Sequence, residues 1–127
     1  GSDFGLKDLN YTFQQGEGGI ADALKLAENF VDGEPMVVVL GDNIIEGNIK
    51  RAVDDFRAQG SGAKILLKEV PDPERFGVAT EDADGRVEKG TLTSDVLPGW
   101  WTDAGTFESL LRASTKVAAD GANKMEM

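Results

Sequence analysis

The chain has 127 residues, with 13 basic and 23 acidic side chains and a formal charge of −10 at neutral pH. That is the length of one domain, and its charge opposes nucleic acid and anionic membrane surfaces as partners. With no Cys and no His, disulfides, thiolate nucleophiles, zinc sites and Ser-His triads are excluded, which leaves carboxylates, Lys, Arg, hydroxyls, amides and hard oxygen-bound cations such as Mg²⁺ to do any chemistry.

Residues 9–15, Leu-Asn-Tyr-Thr-Phe-Gln-Gln, hold β-preferring side chains and run into Gly16-Glu17-Gly18-Gly19, which predicts a strand ending in a tight loop. Ile20, Ala23, Leu24, Ala27 and Phe30 recur at helical spacing and stop at Asp32-Gly33. Met36-Val37-Val38-Val39-Leu40, bounded by Pro35 and Gly41, is an uninterrupted apolar run and predicts a strand buried on both faces. Asn48 is placed to cap a helix running to about Gln59, with Ile49, Val53 and Phe56 inward and Gly60 beyond it. Residues 63–70 predict another strand, so strand, helix and strand would form a right-handed βαβ unit with parallel strands. Pro71-Asp72-Pro73 breaks it. Phe76–Thr80 and Arg86–Val87 flank Asp82-Ala83-Asp84-Gly85, whose Asp-Gly tip favours a hairpin turn over the calcium loop it faintly echoes. A short strand near 92–97 and a helix from about Thr106 to Ala119 follow, the helix with Leu110, Leu111, Ser114, Val117 and Ala118 on its inner face.

No apolar run reaches membrane-spanning length and the N-terminus lacks a basic-then-apolar export signal, so a cytoplasmic location is expected. The chain opens on Gly1-Ser2 without an initiator Met, which fits a tag scar, processing or a fragment of a longer protein.

Three stretches carry chemistry. Gly16-x-Gly18-x-x-Ala21 fits a relaxed dinucleotide-binding fingerprint, with Asp42 at the distance where an acid holds a ribose hydroxyl. The same glycines also serve a plain turn, or a nucleotide-contacting loop of another kind. Leu40-Gly41-Asp42-Asn43 puts a carboxylate just past a strand end, where open α/β sheets place ligands and where it can hold Mg²⁺; a turn is the bland alternative. Trp101-Thr102-Asp103-Ala104-Gly105-Thr106 repeats the arrangement, and two such carboxylates can clamp one cation. The Lys68, Glu69, Asp72, Glu74 and Arg75 cluster is expected to be a solvated rim.

Leu40-Gly41-Asp42-Asn43-Ile44, then residues 62–79 from Gly62-Ala63-Lys64 to Gly77-Val78-Ala79, then Gly99-Trp100-Trp101-Thr102-Asp103-Ala104-Gly105-Thr106-Phe107-Glu108-Ser109-Leu110, resemble sugar-1-phosphate nucleotidylyltransferases. The likeness is greatest to short-form glucose-1-phosphate thymidylyltransferases. The resemblance implies a single, incomplete nucleotidyltransferase-like domain over 1–127, a Rossmann-like three-layer α/β sandwich of the nucleotide-diphospho-sugar transferase class. In that family a sugar 1-phosphate oxygen attacks the α-phosphorus of dTTP, pyrophosphate leaves and Mg²⁺ assists. By motif match, Asp42 and Asp103 are the implied metal carboxylates, Gln14 hydrogen-bonds the thymine edge, Gly19 brings its backbone against the base, and Gly77 lies against the sugar.

The departures are informative too. The family's glycine-rich phosphate cradle, with its Arg and Lys, has no counterpart here, and the sugar-binding segment is missing between Val87 and Glu88. Glu88-Lys89-Gly90 is not the family's Glu-Lys-Pro motif, since Gly stands where Pro is required. Weak or absent turnover by the chain alone is therefore expected, with homo-oligomerisation covering the exposed edge of the Val37–Leu40 strand. A non-catalytic self-associating α/β module and a dinucleotide-binding domain are the alternatives.

Overall fold

A computed structural model describes residues 2–80, 82–83 and 92–125. The chain separates into two compact units, Gly1–Val38 and Val39–Met127.

In the first unit a single 3₁₀ turn at Ser2–Phe4 precedes irregular chain, and then come helix α1, Gly19–Lys25, and the one-turn helix α2, Glu28–Val31. The strand predicted at 9–15 does not form. Tyr11 and Phe13 are exposed there, and no neighbouring strand among the described residues takes up the backbone groups. The predicted helix from Ile20 to Phe30 is interrupted at Leu26-Ala27. Helices this short depend on burying an apolar face, and only Leu24 and Ala27 of the predicted stripe are even half-buried. The stop is where the sequence puts it: Asp32 adopts a left-handed φ of 49° and Gly33 follows at 78°.

The second unit holds two small sheets. Strand β1, Asn43–Ile45, pairs antiparallel with β4, Trp101–Asp103, while β2, Ala63–Leu67, runs parallel to β3, Leu92–Val96. Helix α3, Lys50–Gln59, packs on β2, and α4, Phe107–Asp120, packs on β4. A 3₁₀ turn occupies Pro73–Arg75.

The run Met36–Leu40 is not a strand. Its five side chains are 45–67% exposed, and residues 36–39 make no backbone–backbone hydrogen bond among the described residues. A strand exists only through its ladder, and an apolar run built for the middle of a sheet is left bare without one. The predicted βαβ unit is corrected accordingly. Its helix and second strand form, but the parallel partner of β2 is β3, joined rung by rung from Ala63↔Leu92 to Leu67↔Val96. Gly60 ends α3 in the left-handed region at φ 78°, as its place past Gln59 predicts. The N-cap position of that helix is Ile49, which supplies no side-chain cap, and not Asn48 as predicted; from one residue earlier the Asn48 side chain accepts from the Lys50 backbone N–H at 2.9 Å. Phe76–Thr80 forms no strand, and the predicted hairpin tip lies outside the described residues.

Helix α4 also turns a different face inward. Ser109 and Ala113, 1% and 3% exposed, press against β4 beside the buried Thr102, whereas Leu110, Leu111 and Val117 are exposed. Small side chains let the helix approach the ribbon closely, and the more apolar stripe then falls to one side. There Leu110, Ser114, Val117 and Ala118 join Ile44 and Ala104 around an open depression of about 410 Å³. The N-terminus of α4 is fixed by a reciprocal cap: the Ser109 N–H donates to the Thr106 hydroxyl at 3.1 Å, and the Thr106 N–H donates to the Ser109 hydroxyl at 2.9 Å.

Candidate functional site

Asp42 lies one residue before β1 and Asp103 ends β4. Antiparallel register sets Asn43 opposite Asp103, and the ladder continues one rung further, the Ala104 N–H donating to the Asp42 carbonyl at 2.7 Å. Two acids far apart in the chain therefore sit on adjacent rungs of one ribbon. Both turn toward the space left open by Gly105. A Cβ on that glycine would stand 3.3 Å from Asp42 Oδ2 and 3.9 Å from Asp103 Oδ2.

The two carboxylates are held differently. Asp42 Oδ1 accepts from the Asn43 amide at 2.9 Å, and the Asn43 carbonyl oxygen accepts from Trp101 Nε1–H at 2.8 Å. The Ser109 hydroxyl holds the Asp103 carboxyl below the ordinary carboxylate range; partial burial opposes this, and the backbone N–H groups of Asp103 and Gly105 and the charge of Arg112 reinforce it. Like charges facing one opening repel by roughly 1 kcal/mol at 4 Å in water and several-fold more near a protein surface, and an oxygen-seeking cation relieves that repulsion. The donor chemistry suits Mg²⁺, which is commonly held by one or two carboxylates together with waters. No group of three or more acidic side chains converges among the described residues.

Gly77 follows Phe76, whose ring meets Trp101 edge-on with centroids 5.6 Å apart. The space beside its Cα is open. In the first unit the Gln14 amide donates to the Gly19 carbonyl at 3.1 Å and to Asp22 Oδ2 at 3.3 Å, so those two residues are in direct contact. Gly19 has φ 83° with open space where a side chain would start.

The dinucleotide fingerprint does not assemble. Among the described residues no strand precedes Gly16-x-Gly18-x-x-Ala21, and Asp42 lies just before a strand instead of ending one, so neither half of the required βαβ geometry is seen there. Lys68, expected on a solvated rim, is in fact tied to the backbone, donating to the carbonyls of Leu97 at 3.2 Å and Gly99 at 2.5 Å. Asp84 and Gly85 of the calcium-like loop lie outside the described residues. The sequence reading gave no role to Asn43 or Ser109. The signal for Ser109 was present as Thr106-x-x-Ser109, a hydroxyl variant of the capping box; that for Asn43 emerges only once strand register is known.

The architecture is a set of short α/β elements in which two acids on adjacent rungs of one ribbon border a single opening. The chain belongs to the nucleotidyl transferase family, whose model matches residues 1–91. A low-salt glycan biosynthesis nucleotidyltransferase, Agl11, of Haloferax volcanii is 38% identical over 172 residues, covering 94% of this chain and 48% of the relative. A glucose-1-phosphate thymidylyltransferase of Streptomyces antibioticus is 43% identical over 88 residues, covering 68% of this chain and 24% of the relative. A crystal structure from Bacillus anthracis, described as a glucose-1-phosphate thymidylyltransferase in complex with a sucrose, superposes with a TM-score of 0.83 at 32% identity, covering 99% of this chain and 70% of that one. This is a nucleotidyltransferase domain related to glucose-1-phosphate thymidylyltransferases. It spans about half the length of the haloarchaeal relative and about a quarter of the Streptomyces one. The haloarchaeal alignment exceeds the chain's own 127 residues by 45 positions, so that relative carries internal sequence with no counterpart here. The family match ends at residue 91, close to the Val87–Glu88 junction. Among the described residues no helix is long and apolar enough to cross a membrane.

Proposed function

We propose that the chain is a cytoplasmic nucleotide-sugar-binding member of this family, in which Asp42 and Asp103 hold Mg²⁺, Gln14 and Gly19 contact the base, and Gly77 lies against the sugar. The single observation that carries this reading is that carboxylate oxygens of Asp42 and Asp103 both lie within 4 Å of the point where a Gly105 side chain would start. When bound, the ion supplies neutralisation of the charge that builds on phosphate oxygens during in-line displacement. Asp103 contributes a carboxylate that the Ser109 hydroxyl holds below the ordinary carboxylate range, and Asp42 a carboxylate whose second oxygen is occupied by Asn43. The reaction of the thymidylyltransferase relatives would form a bond from the sugar 1-phosphate oxygen to the α-phosphorus of dTTP and release pyrophosphate; the chain alone is expected to bind but to turn over slowly. Calorimetry with dTTP and with dTDP-glucose tests this. Weak binding that needs Mg²⁺ and disappears in Asp42→Asn and Asp103→Asn supports it, whereas binding that survives both substitutions refutes it.

A second reading, self-association, is favoured by the bare run Met36–Leu40. The occupant that fits is the same run in a second copy, because an uncharged, β-branched segment whose residues 36–39 make no backbone–backbone hydrogen bond among the described residues is its own best edge. Antiparallel pairing about Val38 sets Glu34 of one copy opposite Asp42 of the other, so acid repulsion should limit the association. Sedimentation over a range of concentrations checks it. A strict monomer at every concentration, or an oligomer untouched by Val38→Lys, removes it.

A further inference from the structure

We propose that Asn43 is a positioning residue that fixes the Asp42 carboxylate and couples it to the indole of Trp101. The inference rests on the reading of Asp42 as a cation ligand and adds a residue to that site.

The argument starts from register. Trp101 stands opposite Ile45 and Asp103 opposite Asn43, so Asn43, Trp101 and Asp103 share one face of the ribbon, and the indole reaches Asn43 along the diagonal that long aromatic side chains can span. The chemistry of the two partners then fixes the amide. Ionised Asp42 can only accept and Trp101 Nε1–H can only donate, so the bridging side chain must donate at one end and accept at the other. Asn43 does both, at 2.9 Å to Asp42 Oδ1 and 2.8 Å to Trp101 Nε1. A carboxylate, a hydrocarbon or an ammonium at this position breaks at least one bond. With Oδ1 occupied, Asp42 presents Oδ2 to the opening at Gly105 that Asp103 Oδ2 also borders. Trp101 is itself braced edge-on by Phe76, so the orientation of Asp42 is set through Asn43 by an aromatic pair that carries no charge. Residues that orient a metal ligand from behind are commonly worth ten-fold or more in metal affinity.

The test is a double-mutant cycle on Mg²⁺ affinity, read by calorimetry on the full chain with Asn43→Leu, Trp101→Phe and the two combined. Asn43→Leu keeps the branched shape in a somewhat larger side chain and removes both bonds; Trp101→Phe keeps an aromatic ring and removes the N–H together with part of the indole. The expected result is about a ten-fold weaker affinity for Asn43→Leu, a smaller loss for Trp101→Phe, and a double variant no weaker than Asn43→Leu alone. A spectroscopic reading accompanies it. In a Trp100→Phe background Trp101 is the sole tryptophan, and its emission should shift on adding Mg²⁺, a response lost with Asn43→Leu. Should Asn43→Leu fail to fold, Trp101→Phe and the emission shift still decide the matter. Wild-type affinity in both single variants, or strictly additive losses, overturns the role of Asn43 while leaving the cation site standing provided Asp42→Asn abolishes binding. Absence of Mg²⁺ binding in the wild-type chain, or binding unaffected by Asp42→Asn, overturns the cation site and the role of Asn43 together.

Discussion

Gly105→Ala would separate the proposed cation site from the fold that carries it. The added methyl would lie 3.3 Å from Asp42 Oδ2 and 3.9 Å from Asp103 Oδ2. The second distance is ordinary contact; the first is tighter than nine in ten real contacts of this kind and displaces the Asp42 carboxylate by a few tenths of an ångström. That carboxylate is not free to swing aside, because its other oxygen is held by Asn43. Mg²⁺ demands oxygens at about 2.0–2.1 Å in near-ideal octahedral geometry, so both the displaced ligand and the methyl filling the opening act against it. An affinity at least about ten-fold lower is expected, equivalent to about 1.4 kcal/mol. Gly105 is not in the left-handed region, so alanine is compatible with the backbone there; the gain of about 0.4–1 kcal/mol through the unfolded chain is opposed by the displacement of the held Asp42 carboxylate, and the net change in thermal stability should be small. Calorimetric Mg²⁺ titration together with a thermal melt in chelator gives both quantities. A variant that melts like wild type and binds Mg²⁺ equally well would show that the two carboxylates do not address a common ion across Gly105.

Three further expectations follow from particular contacts. The Glu46 carboxyl is held below its ordinary value of 4.5, chiefly by its hydrogen bond from Lys124 and then by the Trp100 backbone N–H. A depressed folded value means that its contribution to stability is present above pH 4.5 and is lost as pH falls through the lower folded value, so acid titration of Glu46→Gln should show a shallower loss of stability in that window than wild type. Thr106→Ala removes the cap of α4 and should cost about 1 kcal/mol in urea unfolding; an unchanged midpoint would mean that the helix start is held by its packing on β4. Raising NaCl from about 0.1 M to 1 M shortens the screening length from about 10 Å to 3 Å and should strengthen self-association in sedimentation, whereas weaker association at high salt would contradict pairing of the acid-flanked run.

Elements that close on near neighbours were legible in the sequence. Helix α3 begins beside Asn48 and ends at Gly60, and α4 follows a Thr cap, because caps and terminal glycines are local chemistry. The strand at 92–97 was legible from its β-preferring composition, and it forms because β2, 29 residues earlier, supplies its parallel partner. Met36–Leu40 has the composition of a central strand, yet composition cannot supply the strands that must lie on either side of it. The face of α4 was misread because periodicity picks the most apolar stripe, while close packing on β4 selected Ser109 and Ala113. At the candidate site, the pairing of Asp42 with Asp103 follows from recurrent strand-end acids in the sequence, whereas the bridge from Asp42 through Asn43 to Trp101 depends on register and could be seen only in the structure.

The charges of the second unit also separate binding from turnover. Lys50, Arg51 and Arg57 are paired with Asp54 or Asp55 along α3, Arg75 with Asp72, and Lys124 with Glu46. Lys68 is engaged with two backbone carbonyls, and the Lys116 ammonium sits 5.6 Å from the centre of the Trp100 ring. Among the described residues Arg112 is the cation whose field reaches Asp103. Phosphoryl displacement relies on positive groups aimed at the charge that develops on the transferring phosphorus, and among the described residues of the second unit most positive groups already meet an acid, a carbonyl or a ring. Two carboxylates facing one opening favour a bare cation, but in a chain of net charge −10 they repel a bare triphosphate. Nucleotide affinity should therefore rise steeply with Mg²⁺ and vanish in chelator, while pyrophosphate release from dTTP and glucose 1-phosphate stays slow even at saturating Mg²⁺. Rapid release by the chain alone would mean that positive charge reaches the phosphates from somewhere other than these paired groups.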